Sequence, residues 1–307
     1  MIGVSTNILP DSARKMKYYA SNGKSINFVG TDDGMNINDD TDFSMTDGSN
    51  NDKPFSLSMW VKQDAQGTGS TANGLLIGKG TASTQKEWKL FLHYGQLMFD
   101  IVDNADNHYK RVLCSAQTIN NPHNTWYHIV ATYDGSESYS GMKVYKDGLD
   151  TEAGGGGGGS YQGMPNTDSK VAIGHRLDNS NYDFDGHMKD ICIWKDYELS
   201  QAEVSAMYND GEFSVDPTED SGVYNGATYL KLWLKCEDSI TTTAASSSTV
   251  YQIVAGLSKC EGAAIDSSSE EYAENCAGLA GESDAGNICC RSTVHVAAIL
   301  GTSDSSG

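Results

Sequence analysis

Apolar and polar residues alternate with a period of two along most of this chain, and only one stretch follows the helical period. Residues 55–61, FSLSMWV, place Phe55, Leu57, Met59 and Val61 on one face of an extended segment. Residues 24–37, KSINFVGTDDGMNI, predict a strand, a Gly-Thr-Asp-Asp-Gly turn and a second short strand. Residues 75–78 form a further apolar strand. Residues 88–92 and 96–102 flank Tyr94-Gly95 and predict a hairpin. Residues 126–133, WYHIVATY, and 142–145, MKVY, surround the turn Asp134-Gly135, and Asp147-Gly148 is another turn signal. Glycine then fills positions 154–159, a run that no packed element would use, so an exposed loop is expected there.

Residues 171–174 predict a small strand, and residues 178–186 an acidic turn region. Met188, Asp190, Cys192 and Trp194 alternate with Lys189, Ile191 and Ile193, which suits a strand covered on both faces. Ser200 stands at capping-box spacing from Glu203 and starts a short helix, with Val204, Met207 and Tyr208 on one side and Gly211 beyond its end. Leu230, Leu232 and Leu234 alternate with Lys231, Trp233 and Lys235 in one more strand. Beyond residue 237 the chain turns to serine, glycine and acids, with apolar islands at 250–257 and 294–300. Disorder is the first expectation for such a composition.

Short strands joined by polar turns, with no crossover helices between them, predict an all-β antiparallel sandwich with one short helix and irregular terminal extensions. The 307 residues divide into an N-terminal arm (1–23), the sandwich (24–236) and a C-terminal extension (237–307). A net charge of −20 argues against a nucleic-acid partner, which needs clustered Lys and Arg. No apolar run reaches membrane-spanning length, and residues 1–15 lack the pattern of a secretory signal, so neither membrane insertion nor a leader is expected. The seven cysteines fit no metal-ligand spacing; free thiols are expected, with a Cys260–Cys276 or Cys276–Cys289 bridge as the alternative.

The order of segments carries a resemblance. INFVGTDDGMNI, FSLSMWVK, WYHIVATYDG, MKVYKDG, VAIG, FDGHMKDICIW and ELSQAEVSAMYNDG together resemble the laminin-G-like, concanavalin A-like jelly roll found in lectins and in many cell-surface or viral adhesion modules. The resemblance implies a jelly-roll sandwich over about residues 24–211. It also implies calcium between loops at one rim, held by Asp and Asn oxygens. Here Asp178, Asn181 and Asp183 of the acidic loop would act with Asp103, Asn104 and Asp106 of the DNADN loop. Asn181-x-Asp183-x-Asp185-Gly186 matches only the first half of a calcium loop, since Cys192 stands where a bidentate glutamate belongs, and local turn hydrogen bonding is the competing reading. Asp32, Asp33, Asp39, Asp40 and Asp42 around the first hairpin are expected to be structural.

No catalytic residue is expected. Glucanases of this sandwich place Glu and Asp at alternate strand positions, and no such motif occurs; HExxH, G-x-S-x-G and phosphate loops are also missing. For sugar binding, which stacks a pyranose on an exposed aromatic ring, Tyr139, Tyr161 and Tyr182 are the candidates, while Trp60, Trp126 and Trp194 read as packing residues. Two functions therefore stand. One is a structural virion component, a phage capsid decoration or fibre protein on the virion surface, contacting other assembly proteins through the arm and extension and forming an oligomer. The alternative is an extracellular or cell-surface adhesin module that binds glycans.

Overall fold

The alternating segments build two antiparallel sheets packed face to face. The computed structural model describes residues 25–29, 34–64, 73–80, 85–103, 108–116, 124–176, 182–211 and 215–234, with the backbone of 241–242, 251–254 and 293–296. The strands are β1 (Ile26–Val29), β2 (Gly34–Ile37), β3 (Phe55–Gln63), β4 (Gly74–Lys79), β5 (Trp88–His93), β6 (Gln96–Val102), β7 (Tyr109–Ala116), β8 (Trp126–Tyr133), β9 (Met142–Lys146), β10 (Leu149–Asp150), β11 (Glu152–Gly158), β12 (Val171–Ile173) and β13 (Asp185–Lys195). Helix α1 (Gln201–Tyr208) follows, then β14 (Leu230–Leu234), β15 (Thr241–Thr242), β16 (Tyr251–Val254) and β17 (Thr293–Val296).

One sheet runs β10-β9-β8-β3-β13-β14-β16-β15, with β1 also paired to β13; the other runs β11-β7-β6-β5-β4-β12-β2-β17. The expected all-β sandwich with one short helix is what forms. Three short strands of the C-terminal extension pair at the margins of the two sheets: β15 and β16 beside β14, and β17 parallel to β2.

Period two decides which residues meet between the sheets. Phe55, Leu57, Met59 and Val61 from β3 face Trp88, Leu90 and Leu92 from β5, Phe99 and Ile101 from β6, and Val112 and Cys114 from β7. Each large apolar side chain buried this way contributes roughly 1.5–3 kcal/mol. Phe55 sits at the centre, with ring centroids 5.6–5.9 Å from Phe99, Trp88 and Tyr133. The Tyr94-Gly95 and Asp147-Gly148 turns have positive φ at both positions, the backbone that a tight two-residue hairpin requires.

The nine-stranded sheet has a second covered face. Val130, Tyr145, Cys192, Trp194 and Trp233 point away from the main core and pack under Leu199, Val204 and Met207 of the α1 region and under Tyr224. This explains why β13 is buried on both sides. The capping box forms as expected: the Ser200 hydroxyl accepts from Glu203 N, and Glu203 Oε2 accepts from Ser200 N at 2.8 Å.

Two segments differ from their sequence reading. Residues 154–158 of the glycine run are strand, not exposed loop: β11 pairs with β7 from Glu152↔Cys114 to Gly158↔Tyr109. Glycine has no intrinsic preference for a strand, so the backbone ladder to β7 sets this conformation. β7 itself, YKRVLCSA, was not singled out in the sequence; Lys110 and Arg111 dilute its apolar pattern.

Candidate functional site

The outer face of the eight-stranded sheet follows from the same alternation. Between inward-facing Trp88, Leu90 and Leu92, the outward positions of β5 are Lys89, Phe91 and His93. On β6 they include Met98 and Asp100, and on β7 Arg111 and Leu113. The register then sets two rows side by side. One is apolar, Leu113–Met98–Phe91–Leu75. The other runs Gly156–Arg111–Asp100–Lys89–Gly78–Ala172.

A cleft of about 130 Å³ opens over the apolar row, lined by Leu75, Lys89, Phe91, His93, Met98, Arg111, Arg176 and Tyr182. Its floor is buried apolar surface, and its walls are charged side chains lying over rings. Lys89 Nζ is 4.5 Å from the Phe91 ring centroid, Arg111 Cζ 4.8 Å from Tyr109, and Arg176 Cζ 4.8 Å from Tyr182. Asp100, with its side chain 2 % exposed, accepts from Arg111 Nε at 2.5 Å and Nη2 at 2.7 Å, and lies 3.4 Å from Lys89 Nζ. Lys89 and Arg111 keep 20 % and 29 % of their side chains exposed.

Burial is the largest influence on the titrating groups of the cleft. Burial pushes the Lys89 ammonium below its ordinary pKa; Asp100 opposes this, while Arg176, Arg111 and Lys86 add to it. His93 is also pushed below the usual imidazole value, first by burial and then by Arg111 and Lys89. Arg111 is pushed up by its hydrogen bonds to Asp100.

Flat surfaces border the charged row. A Cβ placed on Gly156, directly across from Arg111, would meet nothing within 4 Å, and the same holds for Gly154 across from Leu113. The glycine strand therefore forms a shelf without side chains along one margin of the cleft.

Among the tyrosines expected to stack on sugar, Tyr182 lies at the cleft wall over Arg176. Tyr139 is 43 % exposed, but it packs against Gly155 on the face of β11 opposite Gly156 and Arg111. Tyr161 is not a surface residue. It is buried and donates to Asp52 Oδ2 at 2.7 Å, beside Tyr133, which donates to the same oxygen at 2.7 Å. The chain after the glycine strand turns inward, which the sequence did not signal.

Of the six residues expected at a calcium rim, Asp103 and Asp183 are described. Asn104, Asp106, Asp178 and Asn181 lie outside the described residues. Asp103 follows β6 at the end of the sheet where Lys79 pairs with Trp88, and its Oδ2 is engaged by His108 Nδ1 at 3.1 Å and Gln162 N at 3.2 Å. Asp183 adjoins Phe184, whose N–H donates to Gly174 O at 2.7 Å and which packs on Gly74, at the other end of the same sheet. Gly74 and Lys79 are separated by five strand steps, roughly 17 Å. Asp103 and Asp183 therefore stand near opposite ends of the sheet. Among the described residues, no group of three or more His, Cys, Asp or Glu side chains is placed to hold a metal.

Other candidates resolve into packing. Asp39 pairs with Lys79 at 2.7 Å, Asp40 caps a short 3₁₀ turn, and Asp42 lies 3.4 Å from Lys231; Asp32 and Asp33 lie outside the described residues. Trp60 and Trp194 are buried, while Trp126 is half-buried with Lys189 5.1 Å from its ring. His128 is buried, bonded to Ser58 at 2.9 Å and pushed down to about 3 by burial. Cys114 and Cys192 are free and buried; the other five cysteines lie outside the described residues.

Lys89, Phe91, Arg111 and Arg176 were missed at the sequence level. The available signal was their outward phase on alternating strands, but their adjacency depends on sheet order.

Several solved structures are similar to this chain at low identity. A Bacteroides ovatus protein to which carbohydrate binding is ascribed is 18 % identical, with TM-score 0.45, covering 72 % of this chain and 53 % of that one. The binding domain of botulinum neurotoxin serotype C1 is 17 % identical, with TM-score 0.39, covering 52 % of this chain and 37 % of that one. The binding domain of botulinum neurotoxin DC in complex with SialylT is 14 % identical, with TM-score 0.37, covering 52 % and 36 % respectively. This chain thus spans about a third to a half of those structures. No curated protein matches it in sequence. The family model Laminin_G_3, described as the concanavalin A-like lectin/glucanases superfamily, matches residues 30–205. Since that match spans more than half of the 307 residues, the chain belongs to the Laminin_G_3 family of concanavalin A-like lectin and glucanase domains.

Proposed function

We propose that this domain is a lectin-like module that binds carbohydrate in the outer-face cleft without cleaving it. The observation that carries the reading is the pairing of a buried apolar floor, Leu75, Phe91 and Met98, with convergent polar groups and the Tyr182 ring at one wall. Small-molecule sites combine those two properties, and a pyranose offers an apolar face and a hydroxyl edge to match them. Hydrolysis by the usual route needs two carboxylates flanking the glycosidic bond. Among the described residues lining the cleft there is no carboxylate, and nearby Asp100 is held at both oxygens by Arg111.

A glycan array probed with the full chain tests the reading, with Tyr182→Ala as the paired variant. Specific binding that weakens in the variant supports it; absence of binding across neutral, uronic, sialylated and sulfated glycans overturns it. Display of the cleft on a virion, by a decoration or fibre protein attached through the flanking segments, is a separate proposal about setting. It is supported by the strongly acidic composition and by the basic stretch Arg14, Lys15, Lys17 and Lys24. Immunogold labelling of particles tests it.

A further inference from the structure

We propose that Tyr94, at the tip of the β5–β6 hairpin, is a second stacking platform of the glycan site and contacts the sugar unit next to the one held in the cleft. The ligand is then an oligosaccharide and not a single sugar. The inference deepens the glycan reading and rests on it.

Two tight hairpins in this chain are built the same way. Tyr94-Gly95 joins His93 to Gln96, Asp147-Gly148 joins Lys146 to Leu149, and both have positive φ at both turn positions. The first position of such a turn favours Asn, Asp or Gly, because a bulky side chain is strained there. Asp147 obeys that preference. Tyr94, at φ 50°, does not. Among the described residues, nine other than glycine have positive φ; seven are Asn or Asp, and Tyr94 is the one aromatic. Burial of the ring does not offset the strain, since Tyr94 is 62 % exposed.

The surrounding fold holds this residue where it is. Asn73, buried just ahead of β4, accepts from Tyr94 N at 2.8 Å and ties the hairpin tip to the neighbouring strand. The Tyr94 ring meets the His93 ring edge-on with centroids 4.4 Å apart, and His93 lines the cleft. Phe91, on the cleft floor, follows with its centroid 6.5 Å from His93. An aromatic row therefore climbs along β5 from the buried floor to an exposed ring at the rim. Strained positions that their neighbours over-determine concentrate at ligand sites, and this one adjoins a cleft.

Size points to a ligand of more than one unit. The cleft of about 130 Å³ is smaller than the roughly 300–1,000 Å³ of sites that enclose a drug-sized molecule. It suits one ring, so a longer glycan lies across its margins. At the strand end, Tyr94 offers an aromatic surface on which a pyranose stacks. On the β11 side, the glycine shelf offers a flat one.

The test probes an array of mono-, di- and trisaccharides, in neutral, uronic, sialylated and sulfated forms, with the full chain and with Tyr94→Asn, and follows urea unfolding of both. Asn suits the positive φ, so Tyr94→Asn should raise the urea midpoint by roughly 0.2–0.5 M. Binding of di- and trisaccharides should fall about fivefold, while binding of single sugars stays within about twofold. Tyr94→Phe keeps the ring and should keep oligosaccharide binding within about twofold of the parent. Unchanged oligosaccharide binding in Tyr94→Asn overturns the platform and leaves the glycan reading standing. A lowered midpoint, or an equal loss for single sugars, makes Tyr94 a structural residue and overturns the platform as well. No binding of any member by the parent chain overturns both.

Discussion

The two sheets present contrasting exteriors. On the nine-stranded sheet, outward Trp194, Trp233, Val130 and Tyr145 lie beneath α1 and Tyr224, forming a second core. On the eight-stranded sheet, outward Leu75, Phe91, Met98 and Ala172 form a small apolar patch whose roof comes from the charged and aromatic side chains of the cleft. The strand alternation is the same in both. A helix laid over the first face makes it structural; the absence of one over the described part of the second leaves an apolar floor beside water, where a ligand can bind.

The largest predicted effect tests the covered face. Trp194→Ala removes a fully buried ring whose Nε1 donates to Tyr224 Oη at 2.7 Å, and should lower stability by about 3–5 kcal/mol in urea unfolding. Glycan affinity of the folded fraction should not change; a parallel loss would mean that the two faces are coupled. Tyr182→Ala should do the reverse, with stability within about 0.5 kcal/mol of the parent and affinity down about tenfold. Unchanged affinity there would move the site away from this wall.

Gly156→Val sharpens the contrast further. Its Cβ has open space, so the substitution should stabilise the strand by about 0.5–1 kcal/mol while weakening long oligosaccharides several-fold and sparing single sugars. Equal effects on both lengths would argue against the shelf.

The smallest effect is a pH slope. His93 on β5 faces Lys89 on its own strand, Arg111 on β7 and Asp100 on β6, with the Tyr94 ring 4.4 Å away. Its pKa lies below 6.5, so it is neutral at pH 7, and the stability associated with that depressed value is lost as pH falls. Urea unfolding should therefore show stability falling as pH drops from 7 toward 5, and His93→Gln should flatten that slope. A flat profile in the unmodified chain would mean that the folded state places no penalty on the protonated ring.

Much of the covered face was legible in the sequence. The phase of residues 55–61, the doubly covered strand around Cys192 and the Ser200–Glu203 cap are local patterns, and each formed. The open face was legible only in fragments. Lys89 and Phe91 can be read as outward because their neighbours face the core, yet nothing local says that Arg111 stands across Asp100 from Lys89. Tyr161 shows the opposite error: proximity to a glycine run suggested exposure, while the fold turned its hydroxyl onto buried Asp52.

By itself the sequence determined the sandwich, its inward rows, its tight turns and the one capped helix, because period two, positive-φ turn residues and capping chemistry act over a few residues. Only the tertiary structure decided that glycines 154–158 form a strand, that Asp103 and Asp183 stand at opposite ends of a sheet, and that Lys89 and Arg111 meet over Phe91. Those outcomes depend on sheet order and register, in which residues tens of positions apart become neighbours about 5 Å apart.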